Sequence, residues 1–267
     1  MIVSCIGLFL GLFAVIGGAI IEGLHLSALT QPTAALIVFG GTLGATMLAC
    51  TGEEFSAAIK LIPKIFLAKA PDFSGLIKEI VDLANIARKE GLLALEKSVA
   101  GIKNPFFAQN LRKIVDGYDP VILKEMMEEK IFKTEEHANA VGKVFETGGG
   151  FSPTIGIIGA VLGLIHVMGN LSDSSKLGSG IAVAFVATVY GVGLANLVLI
   201  PMGNKAKKIG KYDAEEMEII AMGLLGIQAG LNPRLIEDRL NNMHADHGSH
   251  QKGEASGAEG APAKKAA

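Results

Sequence analysis

The chain has 267 residues, of which 50% are hydrophobic and only 19% charged, and its mean hydropathy is +0.44. That is too apolar for a water-soluble domain of this length and makes the lipid bilayer the expected solvent. A net charge of -2, with no basic stripe interleaved with aromatics, excludes nucleic-acid binding, and no grouping of nucleophile, base and metal ligands supports an enzyme or calls for a cofactor.

Four windows free of Asp, Glu, Lys and Arg are long enough to cross a hydrocarbon core, which needs roughly 20 apolar residues. The expected fold class is therefore an all-α integral membrane protein with four spans in two hairpins and a helical cytoplasmic domain. The first hairpin occupies 1–52, with one span over Met1–Ile21 and a second within Gln31–Gly52, about 31–50. The leading apolar stretch lacks a basic flank and runs past the ~7–15 residues of a signal-peptide core, so it reads as a retained span. Cys5 and Cys50 lie in these apolar stretches and read as small buried hydrophobes.

A polar block follows over 53–146. Pro71-Asp72 predicts the start of a helix with Leu76, Ile77, Ile80, Val81 and Ala84 on its apolar face, interrupted at Gly91. Asn104-Pro105 and Asp119-Pro120 each combine an N-cap residue with a proline at the first helical position. On a continuous helix Arg88 and Glu96 would sit about 12 Å apart and turned by roughly 80°, so both would face one partner surface. Such charges ordinarily form only a solvated face.

The second hairpin occupies 147–204: a third span within Thr147–Ser172, about 150–169, and a fourth within Leu177–Asn204, about 180–201, joined by a turn carrying Asp173 and Lys176. The triplet Gly148-Gly149-Gly150 reads as a break that loosens the helix before the third span; without a preceding strand or a following GK[ST] it is not a phosphate loop. Helices are expected over 205–243. The tail over 244–267 lacks large apolar residues and is expected to be disordered; the spacing of His244, His247 and His250 makes no metal site there. Of the 24 Lys and Arg residues, 14 lie between Glu53 and Glu146 and 9 follow the fourth span. Basic residues stay on the cytoplasmic side, so both termini and the central block are expected there.

Small residues recur at four-residue spacing, Gly7 with Gly11, Gly40 with Gly44 and Gly159 with Gly163, which lets helix backbones approach closely within a chain or between chains. No carboxylate falls at membrane depth, and Glu22 stands only at the end of the first span. Thr33, Thr42, Thr46, Thr154, Thr188 and Tyr190 offer hydroxyls, with His166 nearby. Hydroxyls line a wet path but do not hold a proton at neutral pH, so an ion-moving function requires a carboxylate from a partner helix. Pro153 and Pro201, expected at about the same depth of antiparallel neighbours, either kink their helices or mark helix ends.

The runs ARKEGLLALE from Ala87, SPTIGIIGAVLGLIHVMGNLSD from Ser152, AVAFVATVYG from Ala182, IPMGNK from Ile200 and GIQAGLNPRLIE from Gly226 resemble the MotA/PomA family of flagellar stator subunits. The resemblance covers nearly the whole chain except the tail. It implies a homopentameric ring around two copies of a MotB/PomB-like subunit that brings the missing Asp, in the bacterial inner membrane. It further implies ion-driven torque on the rotor protein FliG. By the same resemblance Thr188 and Ala160 are expected along the ion path, which the hydroxyls of Thr154 and Tyr190 are expected to line as well, Pro153 and Pro201 in conformational coupling, and Arg88 and Glu96, flanked by Lys89 and Glu90, at the rotor. Alanine at position 160, where sodium-driven members carry threonine, removes a candidate oxygen ligand and points to proton coupling. A TolQ/ExbB-type energiser of envelope transport is the second reading; that group usually has three spans.

Overall fold

The computed structural model describes residues 2–67, 71–170 and 174–244. The expected turn residue Asp173 and the tail from 245, with His247 and His250, lie outside them. Every regular element among the described residues is helical. Helix α1 (Ile2–Ile21) leads through α2 (Leu26–Leu29) to α3 (Pro32–Ala35), a π-helical segment Leu36–Gly40 and α4 (Gly41–Ala49). Then come α5 (Gly52–Leu67), α6 (Phe73–Glu90), a 3-10 turn Leu92–Leu95, α7 (Glu96–Val99), α8 (Pro105–Val115) and the 49-residue α9 (Pro120–Met168). The last described elements are α10 (Ser174–Gly193), a second π segment Leu194–Leu199, α11 (Ile200–Gln228) and α12 over 233–244. Among the described residues four helical stretches are long and apolar enough to cross a membrane: Ser4–Ile21, Leu26–Ala49, one within α9 and one starting at Leu177.

The chain divides into two compact units. The first joins residues 1–69 to 135–211 and contains all four spans; α5 belongs to it, because Ala58 and Ile65 pack in one cluster with Val141, Val144, Phe145, Met202, Ala206 and Ile209. The second joins 70–134 to the chain from 212, with a core of Ile80, Leu95, Phe107, Leu111, Leu123, Ile219, Ile220, Leu224 and Leu240.

The three expected caps close the second unit's helices. Asp72 accepts from the Gly75 N–H, Asn104 from those of Phe106 and Phe107, and Asp119 from those of Val121 and Ile122. Each satisfies amides that a helix start leaves without an intrahelical partner. On α6, Ile77, Ile80 and Ala84 are buried and Leu76 and Val81 half-buried. Gly91 ends the helix at φ 86°, a conformation that costs glycine little.

The glycine triplet does not break its helix, since α9 runs unbroken from Pro120 to Met168. A Cβ at Gly148 would meet Thr46 Oγ1 at 3.0 Å, and one at Gly149 would meet Ile200 Cγ1 at 2.7 Å. Gly148 and Gly149 form a packing surface, and close neighbours compensate their low helix propensity, while Gly150 stays open. Lys176 falls in the first turn of α10 rather than in a loop. Cys5 and Cys50 are free thiols, half-buried rather than buried.

Candidate functional site

The third and fourth spans meet along a seam of small residues. Cβ atoms built at Gly156 and Gly163 would stand 2.9 Å from the Ala187 carbonyl oxygen and 2.8 Å from the Gly180 carbonyl oxygen, so the two backbones touch directly. One at Gly191 would reach 2.7 Å from the Ser152 carbonyl oxygen. Ser152, fully buried, donates its hydroxyl to the Gly191 carbonyl at 2.8 Å. In a bilayer, where lipid and apolar side chains compete on equal terms, such close contact and interhelical hydrogen bonds are what hold spans together. The pair Gly159 and Gly163 therefore serves packing within the chain, while Gly40 and Gly44 meet no other helix within 4 Å.

The second span closes one side of this seam. Ile155 packs against Gly41, whose added Cβ would lie 2.9 Å from Ile155 Cγ2, and Ile37 lies beside Gly159. Tyr190 belongs to that side: its ring stacks on Phe39 with centroids 5.7 Å apart, and its hydroxyl donates to the Leu29 carbonyl. Tyr190, expected along the ion path, thus has its hydroxyl proton engaged by the Leu29 carbonyl.

Thr188 lies on the other side, where its Cα would be 3.5 Å from a Cβ at Gly156. It is half-buried and donates to the Ala184 carbonyl one turn back at 3.2 Å. Pro153 and Ala160, seven residues apart and hence on nearly the same helix face, are also half-buried. Thr154 is exposed about 100° further round α9, and its hydroxyl donates to the Phe151 carbonyl at 2.7 Å. Beside these residues the two spans expose Ile157, Val161 and Leu164 and, across the seam, Phe185, Val189 and Val192. This face carries hydroxyls and apolar groups but no acid.

The prolines are not level. Gly149, four residues before Pro153, packs on Ile200, which precedes Pro201; in antiparallel helices the two steps add, so the pair is offset by about five residues, ~7.5 Å. Pro201 stands one residue beyond the π segment Leu194–Leu199; a wider turn there relieves the clash between a proline ring and the carbonyl four residues earlier. Register between the spans, set by the seam, decides this depth.

Two features escape pattern reading. Thr46 donates to the Thr42 carbonyl at 2.7 Å, while Thr42, itself buried, has a hydroxyl with no partner. At the charged end of the bundle Lys207 binds both carboxylate oxygens of Glu146 at 2.7 Å, neutralising the acid nearest the third span. Partners 61 residues apart leave no local signal.

In the second unit Arg88, Lys89, Glu90 and Glu96 are all exposed. Arg88 and Glu96 do not share one helix, because α6 ends at Glu90 and the chain turns through Gly91 and the 3-10 segment before α7. Among the described residues no three His, Cys, Asp or Glu side chains gather as a metal-binding group. Half-buried His244 instead packs its ring at a tilt against Phe73 and lies 3.2 Å from buried Glu215.

Residues 98–219 match the model of the MotA/TolQ/ExbB proton channel family, and residues 5–91 match that of the motility protein A N-terminal region. Motility protein A of Bacillus subtilis is 33% identical over 89% of this chain and 88% of its own length. Chemotaxis protein PomA of Vibrio alginolyticus is 34% identical over 87% of this chain and 91% of its own. Among solved structures, that of C. jejuni MotAB superposes with a TM-score of 0.86 at 30% identity, covering 90% of this chain and 94% of that one. The flagellar MotAB stator complex from Bacillus subtilis gives 0.83 at 32% identity, covering 90% and 95%.

Proposed function

Because the chain belongs to the MotA/TolQ/ExbB proton channel family and is a MotA-type ion channel subunit of a flagellar stator, we propose that it works by borrowing a carboxylate from a MotB-like partner. The carrying observation is the open face of the third and fourth spans, with Thr188, Ala160 and Thr154 at its border and no acid of its own. A titratable group at membrane depth is what moves a proton, and hydroxyls alone do not supply one.

In this mechanism a single-span helix bearing one Asp lies along that face. Thr188 and Thr154 hydroxyls, each already donating to a carbonyl, keep lone pairs free to orient water beside the Asp. Ala160 offers no oxygen there, which favours protons over sodium, a hard cation that needs several oxygen ligands. Neutralising the Asp changes its fit against the face, and Pro153 and Pro201, which lack a backbone N–H, are where the two helices yield. Five copies around two partner helices, with the termini and the polar unit in the cytoplasm, would let exposed Arg88, Lys89, Glu90 and Glu96 engage FliG on the rotor. Basic residues concentrated outside the membrane windows on one side support that orientation.

The test is cysteine cross-linking with Cys5 and Cys50 replaced first. A cysteine at Val189, on the open face, should capture the partner's span near its Asp, whereas one at exposed Leu36 on the second span should not. Capture only at Leu36 would put the partner on the wrong face and defeat the reading.

A further inference from the structure

We propose that the end of the bundle where α1 begins holds an anionic phospholipid, its phosphate at Lys205 and an acyl chain along α1. A cleft of about 290 Å3 opens between α1, α5 and the junction of the second π segment with α11, lined by Gly7, Leu8, Phe66, Leu197 and Pro201, with Ser4 and Lys205 at its polar end. Phe66 also borders a second, apolar groove of about 650 Å3 along Cys5, Phe9 and Phe13. The two hollows are thus neighbours on one helix, one greasy throughout and one tipped by a cation.

Charge singles out the occupant. Lys205 is the first charged residue after the uncharged stretch that begins at Leu177, which sets it at the membrane boundary. It is half-buried, and its ammonium donates to Ser4 Oγ at 2.6 Å. Among the described residues it has no carboxylate partner, in contrast to Lys207, two positions on, which Glu146 neutralises. A partly desolvated cation without a counter-charge favours an anion, and one beside an apolar groove favours an anion that carries a chain. The span window Ser4–Ile21 has no buried residue within the chain, which leaves its surface open to lipid. This placement does not depend on which leaflet the site faces.

The assembled complex, stripped of lipid in detergent, is titrated separately with phosphatidylglycerol, phosphatidylcholine and inorganic phosphate, and bound molecules are counted by native mass spectrometry. Phosphatidylglycerol should bind about fivefold more tightly than phosphatidylcholine, the worth of one lysine near an anionic headgroup. Inorganic phosphate should neither bind nor compete. Lys205→Gln should bring the two lipids level, and Lys205→Arg should keep the preference. Gly7→Phe, growing from a position where a Cβ meets nothing within 4 Å, should remove both lipids while the complex mass is retained.

Equal binding of the two lipids by the parent complex, or an unchanged preference in Lys205→Gln, overturns the proposal. Saturation by inorganic phosphate alone overturns it in favour of a free-anion site. A parent complex that binds no lipid and falls apart on Gly7→Phe overturns it in favour of a second copy of the chain as occupant.

Discussion

Gly156 on the third span lies so close to Gly191 on the fourth that a Cβ at Gly156 would stand 3.2 Å from the Gly191 Cα and 2.9 Å from the Ala187 carbonyl oxygen. Two opposing effects therefore meet in Gly156→Ala. Alanine favours the helix by about 1 kcal/mol, but the atoms it meets are backbone and cannot step aside, and such overpacking costs about 1–3 kcal/mol. The clash should win, lowering the thermal midpoint of the purified protein and slowing swimming. Gly150→Ala, where a Cβ meets nothing within 4 Å, should be neutral or stabilising in the same melt.

A second expectation concerns the start of α5. The Thr51 N–H donates to the Glu54 carboxylate at 2.9 Å, and the Glu54 N–H donates to Thr51 Oγ1 at 3.3 Å, a reciprocal cap. The bonds from the Thr51 backbone and then its hydroxyl hold the Glu54 carboxyl below its ordinary value. A carboxylate whose folded pKa is depressed contributes stability above the unfolded value, and that contribution is lost as pH falls through the folded one. Thr51→Ala should reduce hydrogen-exchange protection over Gly52–Leu67 at pH 7. The difference from the parent should shrink once the carboxylate protonates; a difference that grows towards acid would contradict the cap.

At the exposed charges, reversing Arg88 and Glu96 together, as Arg88→Glu with Glu96→Lys, should abolish or sharply reduce swimming while the protein still reaches the membrane at normal levels. Both side chains are exposed on separate segments, so neither change should cost more than about 0.5 kcal/mol of stability. Unaffected swimming would remove the rotor-contact assignment.

Ion choice has its own readout. With alanine at position 160, swimming speed at fixed pH should stay flat as external sodium is raised from micromolar to tens of millimolar. A proportional rise would mean sodium coupling through oxygens other than a side chain at this position.

How far the sequence foretold this depends on the distance over which each signal acts. The caps at Asp72, Asn104 and Asp119 were legible because a capping side chain reaches amides two or three residues away. The four spans were legible because length and the lack of charge are one-dimensional properties. The glycine triplet was misread as a break because what fills its grooves, Thr46 and Ile200, comes from other helices. The depth of the two prolines was misjudged because register is set by the glycine seam, and the π segment before Pro201 has no pattern of its own. The anchoring bond of Tyr190, a residue expected on the ion path, left no local signal because its acceptor lies 161 residues away. The pairing of Arg88 with Glu96 on a helix failed at Gly91, whose positive φ turns the chain before Glu96 is reached.

The borrowed acid is open to direct measurement as proton flux into vesicles under an imposed potential, with this chain alone, with its single-span partner, and with that partner's membrane Asp changed to Asn. Flux should require both chains and vanish with the Asn variant. Flux through this chain alone, at a rate comparable to that of the pair, would contradict the account.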